Sequence, residues 1–141
     1  MDFAFTDEQV MIGETAKAFF GEHACSERTR KAMAVDGLDR DLWQGFCADL
    51  GLAGIGLPEL YGGAGLGMVE FALVAEAAGA QVAALPLLGL ATAARAIAAG
   101  GSEAQKMEWL PKLASGQCVA ACEGMPKADY TGGKLSGTFD L

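Results

Sequence analysis

A chain of 141 residues is long enough for one domain with a sizeable core and too short for two independent ones. With 52% apolar and 20% charged residues its composition is globular rather than disordered. A net charge of −8 argues against nucleic acid or an anionic membrane surface as partner.

Phe5-Thr-Asp-Glu-Gln9 opens the first element. Thr6 and Gln9 have the spacing of a capping box, Asp7 and Glu8 oppose the helix dipole, and Phe5 and Val10 stand at the two positions of a hydrophobic staple. The helix is expected to carry Val10, Met11, Thr15, Ala18, Phe19 and Phe20 to a stop at residues 21–25. A short charged helix is expected over 27–34. Asp39 then caps a third, with Leu42, Trp43, Phe46, Cys47 and Leu50 on one side and Gly51 as its end.

Residues 52–67, Leu-Ala-Gly-Ile-Gly-Leu-Pro-Glu-Leu-Tyr-Gly-Gly-Ala-Gly-Leu-Gly, are glycine-rich yet apolar, which predicts an ordered, packed loop. Helical periodicity resumes over 68–78 through Phe71, Val74, Ala75 and Ala78. An alanine-rich helix is expected over 85–99. The run 82–99 contains Pro86, Gly89 and Arg95, so it is read as buried helix in two pieces rather than a membrane span.

Ser102 and Gln105 form a second capping box, Pro111 is expected to break the helix after Trp109 and Leu110, and Gly116 supplies a left-handed exit. Beyond Gly116 the texture changes to short strands, over 119–122 and over 134–141 behind a Thr-Gly-Gly turn. Two short strands do not make a stable sheet alone, so the chain is expected to stop inside a domain.

The site candidates are sparse. Gly62, Gly63, Gly65 and Gly67 do not have the spacing of a dinucleotide or phosphate loop, and a tight apolar turn explains them. His23, the single histidine, has no nucleophile in a recognisable setting beside it and reads as a partner for a helix C-terminus. Glu59, Glu70 and Glu76 are acid–base candidates only in a general sense. Glu70 and Glu76 lie roughly 120° apart on a helix at about 100° per residue and do not converge. Trp109 is expected as a core anchor. Cys25, Cys47, Cys118 and Cys122 lack C-x-x-C spacing, so no metal site is expected and buried, reduced thiols of a cytoplasmic protein are the reading. The N-terminus shows no signal peptide pattern. From the residues alone no catalytic set is visible.

Four stretches in order carry a resemblance. They are residues 5–9, residues 52–67, Val69-Glu-Phe-Ala-Leu-Val-Ala-Glu-Ala-Ala-Gly79, and Gly101-Ser-Glu-Ala-Gln-Lys106 with Trp109-Leu-Pro-Lys-Leu-Ala-Ser-Gly116. Together they resemble the N-terminal part of the acyl-CoA dehydrogenases. The resemblance implies a mostly α fold: a helical bundle over 1–116, followed over 117–141 by the first strands of an incomplete middle β-domain. It further implies FAD, an acyl-CoA substrate, an electron-transferring flavoprotein as acceptor, and a homo- or hetero-oligomer with neither nucleic acid nor membrane as partner.

In the family a carboxylate of the C-terminal domain removes the α-proton, so no catalytic residue is assigned to this chain. By position in the family pattern, Leu88 and Thr92 are expected in the wall of the acyl pocket. The family's Thr-Glu-Pro and Gly-Ser-Asp segment is replaced by Cys122-Glu-Gly-Met-Pro-Lys-Ala-Asp129, which removes a hydrogen bond to flavin. Two functions follow. One is flavin-dependent α,β-dehydrogenation of an acyl-CoA; the other is a non-catalytic structural subunit of a hetero-oligomeric dehydrogenase.

Overall fold

The computed structural model describes residues 4–120, 128–131 and 134–137. Six helices lead into one antiparallel strand pair: α1 (Asp7–His23), α2 (Ser26–Met33), α3 (Arg40–Ala48), α4 (Met68–Ala80), α5 (Leu87–Gly100), α6 (Glu103–Ala114), β1 (Ala128–Thr131) and β2 (Lys134–Gly137). The strands pair in register from Ala128 opposite Gly137 to Thr131 opposite Lys134. The expected strand at 119–122 is not seen at Val119 and Ala120, which lack regular structure, and its remainder lies outside the described residues. So does 138–141 of the second expected strand.

Both expected capping boxes form. In α1 the Thr6 hydroxyl accepts from the Gln9 amide at 3.2 Å and the Gln9 side chain accepts from the Thr6 amide at 3.0 Å. In α6 Ser102 and Gln105 do the same at 3.3 and 2.9 Å. Each box satisfies donors that a helix start otherwise leaves without partners. Asp39 caps α3 through the Leu42 amide at 3.1 Å. The same carboxylate accepts a two-pronged bond from Arg28 Nε and Nη2 at 2.7 and 2.6 Å, which pins α2 to α3. The Arg28 bond holds the Asp39 carboxyl below its ordinary range.

Packing is organised as two helix pairs, α1 on α4 and α5 on α6. Small residues set the first pair. Gly13 and Ala16 face inward, and a Cβ at Gly13 would meet the Leu73 side chain at 3.9 Å. Val10 and Met11, expected on the buried stripe, therefore stay outside, as does Phe5. Their bulk has no place where the two backbones come this close.

The second pair rests on Leu110 and Leu113, both fully buried. The expected break at Pro111 does not occur: α6 continues through it to Ala114. Burying Leu113 and Ala114 beyond the proline outweighs the one backbone bond that the ring removes, since a buried leucine contributes about 2 kcal/mol. Trp109, expected as a core anchor, is 42% exposed with the Lys112 ammonium 4.7 Å from its ring centroid. The indole in the core is Trp43, stacked on Phe46 at 6.0 Å, which in turn stacks on Phe20 at 5.8 Å.

The seam at Gly116 is held from α3. Trp43 Nε1 donates to the Gly116 carbonyl at 3.1 Å, and Gly116 itself has φ +72°. A side chain there would run into Cys47. Burial pushes the Cys47 thiol up to about 11. Cys47 and Cys118 are half-buried and free, whereas Cys25 is exposed, contrary to the expectation of buried thiols; Cys122 lies outside the described residues.

Three outcomes test this packing. Gly116→Ala should lose about 3 kcal/mol in chemical denaturation, because it adds left-handed strain to a collision with Cys47. Pro111→Ala should gain up to about 3 kcal/mol by restoring the helix bond, and an unchanged midpoint would show the proline carries no penalty. In disulfide-exchange labelling at pH 8, mapped by mass spectrometry, Cys25 should react first. Cys47 should lag by roughly 100-fold relative to an ordinary thiol, its rate still rising above pH 9.

Candidate functional site

The glycine-rich loop packs on α6 and α3. Its two 3₁₀ turns, Leu52–Gly54 and Glu59–Tyr61, lie against α6. A Cβ on Gly54 would come within 2.9 Å of the Ala114 Cβ and 3.1 Å of the Gly63 Cα. The loop amides are consumed internally: Ala64 donates to the Gly54 carbonyl at 3.0 Å, Gly65 to Leu57 at 2.8 Å and Leu66 to Ile55 at 3.0 Å. A phosphate loop needs such amides free and convergent. The packed-turn reading holds.

Above the loop, between α4 and α5, lies an apolar cleft. Met68 and Phe71 contribute one side, Leu87, Leu90, Ala91 and Ala94 the other, and Ile55 and Leu57 belong to the floor. Its enclosed volume is about 30 Å³, the share of roughly one water molecule in the liquid. The cleft is thus a wall with a slot, not a chamber for a whole ligand. Arg95, exposed on α5, is the charged residue on its lining.

Leu88 and Thr92 stand on the same helix but outside this cleft. Leu88 is 72% exposed, and the Thr92 hydroxyl donates back to the Leu88 and Gly89 carbonyls at 2.9 and 3.0 Å. At about 100° per residue, Leu88 and Thr92 form a strip whose edge is Arg95, roughly 20° from Leu88, with Ala91, Leu87 and Ala94 following round into the cleft. Sequence reasoning named Leu88 and Thr92 of this helix and did not name Ala91, Ala94, Phe71 or Arg95, which line the cleft. An arginine within a long apolar run was the available signal for the last of these.

Glu70 and His23 have structural employment, whereas Glu59 and Glu76 are exposed. Glu70 accepts from the Gly67 amide at 2.9 Å and from Gln9 Nε2 at 2.8 Å, joining α1 to α4, and the Gln9 bond holds its carboxyl low. His23 ends α1, half-exposed, with its ring 4.8 Å from that of Phe19. Glu103 accepts from Tyr61 at 3.3 Å and from Lys106 at 2.9 Å.

The α4–α5 connection is tied down by two bonds: Thr29 donates to the Val82 carbonyl at 2.7 Å and the Asp39 amide to Ala84 at 3.0 Å. Among the described residues no group of His, Cys, Asp and Glu could hold a metal ion, and no helix is long and apolar enough to cross a membrane. Among the described residues no buried side-chain nitrogen or oxygen lacks a partner. The segment 122–127, where the family's flavin contact would fall, lies outside them.

Comparison with known proteins follows the same outline. The family model described as the acyl-CoA dehydrogenase, N-terminal domain, matches residues 6–117. The acyl-CoA dehydrogenase IpdE2 of Mycobacterium tuberculosis is 36% identical over 117 residues, covering 82% of this chain and 36% of that protein. Among solved structures, the ChsE4–ChsE5 complex from Mycobacterium tuberculosis superposes with a TM-score of 0.80 at 29% identity, covering 96% of this chain and 39% of that one. An acyl-CoA dehydrogenase complexed with FAD from Bacillus anthracis matches with a TM-score of 0.63 at 30% identity, covering 82% of this chain and 20% of that one. The chain spans about a third of the length of the curated relatives it matches first. With residues 6–117 matched to that family model, the chain belongs to the acyl-CoA dehydrogenase family.

Proposed function

We propose that this chain forms one wall of the acyl pocket in a flavin-dependent enzyme that dehydrogenates an acyl-CoA thioester between Cα and Cβ. Residues 1–116 act as its helical domain and 117–141 as the start of a β-domain. The observation that carries the reading is the apolar cleft between α4 and α5, in a chain whose matched segment runs from 6 to 117. Drawing a proton from the α-carbon of a thioester needs a dry site in which hydrogen bonds polarise the carbonyl. The part this chain plays is water exclusion. Leu87, Leu90, Ala91 and Phe71 offer apolar surface to the acyl group, and Leu88 with Thr92 extends that wall past the lip.

No residue of this chain is assigned as the base. FAD is the cofactor the family implies, and no step is routed through it here. An electron-transferring flavoprotein as acceptor, an oligomer and a cytoplasmic setting belong to the same reading.

A second reading is a structural subunit that supports a catalytic relative. It is favoured by the segment 122–129, which lacks Thr-Glu-Pro, and by the likeness to a protein solved as a complex of two named chains.

One preparation separates the two. The full-length protein, purified with any co-encoded relative, should carry a visible flavin band that bleaches anaerobically on adding an acyl-CoA. A flavin-loaded, active homo-oligomer would remove the structural-subunit reading. Flavin found only on a co-purifying relative would remove the first. No flavin in either chain after reconstitution would sink both.

A further inference from the structure

We propose that Arg95 is a specificity-determining residue of the cleft, pairing its guanidinium with an anionic oxygen group on the bound thioester. The inference rests on the acyl-pocket reading and deepens it.

Three observations converge on this residue. The first is position. Arg95 lines the cleft together with Leu87, Leu90, Ala91 and Ala94 of the same helix and Met68 and Phe71 across from them, and all of these are apolar. It sits on the lip, where the cleft gives way to the exposed strip of Leu88 and Thr92. The second is the lack of a partner. Arg95 has no ion pair and no hydrogen bond among the described residues. By contrast Arg28, Lys31, Arg40, Lys106 and Lys112 each hold a carboxylate. Lys17 and Arg30 likewise hold no carboxylate among the described residues, but neither lines the cleft; what sets Arg95 apart is that it stands free beside an apolar slot.

The third is chemistry. Guanidinium presents a planar fork that matches carboxylate and phosphate oxygens two at a time, and it loses less on dehydration than an ammonium does. Apolar neighbours that exclude water strengthen such a pair. A ligand that suits both features has an apolar body for the slot and an anionic oxygen at its edge.

Two parts of an acyl-CoA fit that description: a second carboxylate on the acyl group, or a phosphate of the CoA. The bland alternative is an arginine whose aliphatic stem merely covers apolar surface while its head stays in water.

Binding of non-reacting thioether analogues to the full-length protein tells these apart, using calorimetry on wild type, Arg95→Gln, Arg95→Lys and Arg95→Met. The first comparison is the ratio of affinities (1/Kd) of a thioether bearing a terminal carboxylate and an uncharged one of equal length. The second is the ratio between a CoA thioether and its pantetheine counterpart, which lacks the nucleotide phosphates. The proposal expects one ratio to fall at least 10-fold in Arg95→Gln and Arg95→Met and to recover in part in Arg95→Lys. A fall in the first ratio identifies the acyl carboxylate, and a fall in the second the CoA phosphate. Both ratios within twofold of wild type would overturn the proposal, leaving the covering stem. Melting temperatures of the variants within a few degrees of wild type exclude a folding defect as the cause. If wild type binds no thioether and oxidises no acyl-CoA, the acyl-pocket reading falls and takes this inference with it; if it binds them and the ratios do not move, only this inference falls.

Discussion

The structure depends on one close approach, that of the glycine-rich loop to the end of α6. Gly54 lies where a Cβ would press on Ala114 and on the backbone of Gly63. With no side chains in the way, the loop folds on itself, uses its own amides as donors to its own carbonyls, and becomes a solid wedge. Packed on α6 and α3, that wedge also supplies Ile55 and Leu57 to the lining of the cleft between α4 and α5. Site and scaffold therefore share these residues.

Polar groups are deployed around this wedge chiefly as fasteners. Asp39 both caps α3 and clamps Arg28; Glu70 both closes the start of α4 and reaches Gln9 on α1; Trp43 is both core and donor to Gly116. Double use of one side chain makes each of these positions costly to replace, since its loss leaves two partners unsatisfied. Among the described residues the acids that are not solvated, Asp39 and Glu70, are already bound. Arg95 is the charged residue on the cleft lining and holds no carboxylate among the described residues.

Much of this was legible in the linear chain. Thr6 with Gln9 and Ser102 with Gln105 declare helix starts through short-range bonds that need only a spacing of three. Gly51 and Gly116 mark stops because their backbone conformations exclude most side chains. Residues 52–67 read correctly as packed rather than flexible, since apolar residues between the glycines demand burial. Pro111 read wrongly. Local rules count the bond it removes, and they have no access to the burial of Leu113 and Ala114 that holds the helix together beyond it.

Side-chain environment was less legible, for a related reason. Val10, Met11 and Trp109 are apolar and fall at helical spacing, yet remain exposed, while Gly13 and Ala16 take the contact with α4. Which stripe of a helix is buried depends on how near its partner comes, and that distance is a property of two elements. The cleft is another such property: position in the family pattern pointed to Leu88 and Thr92 on α5, but these lie past its lip while Ala91, Ala94 and Arg95 line it. The sequence by itself determined where helices begin and end and which loop is solid, because those are local matters of capping, φ and composition. The tertiary structure decided which faces meet and which charge stands free beside an apolar slot, because those depend on contacts between residues far apart in the chain.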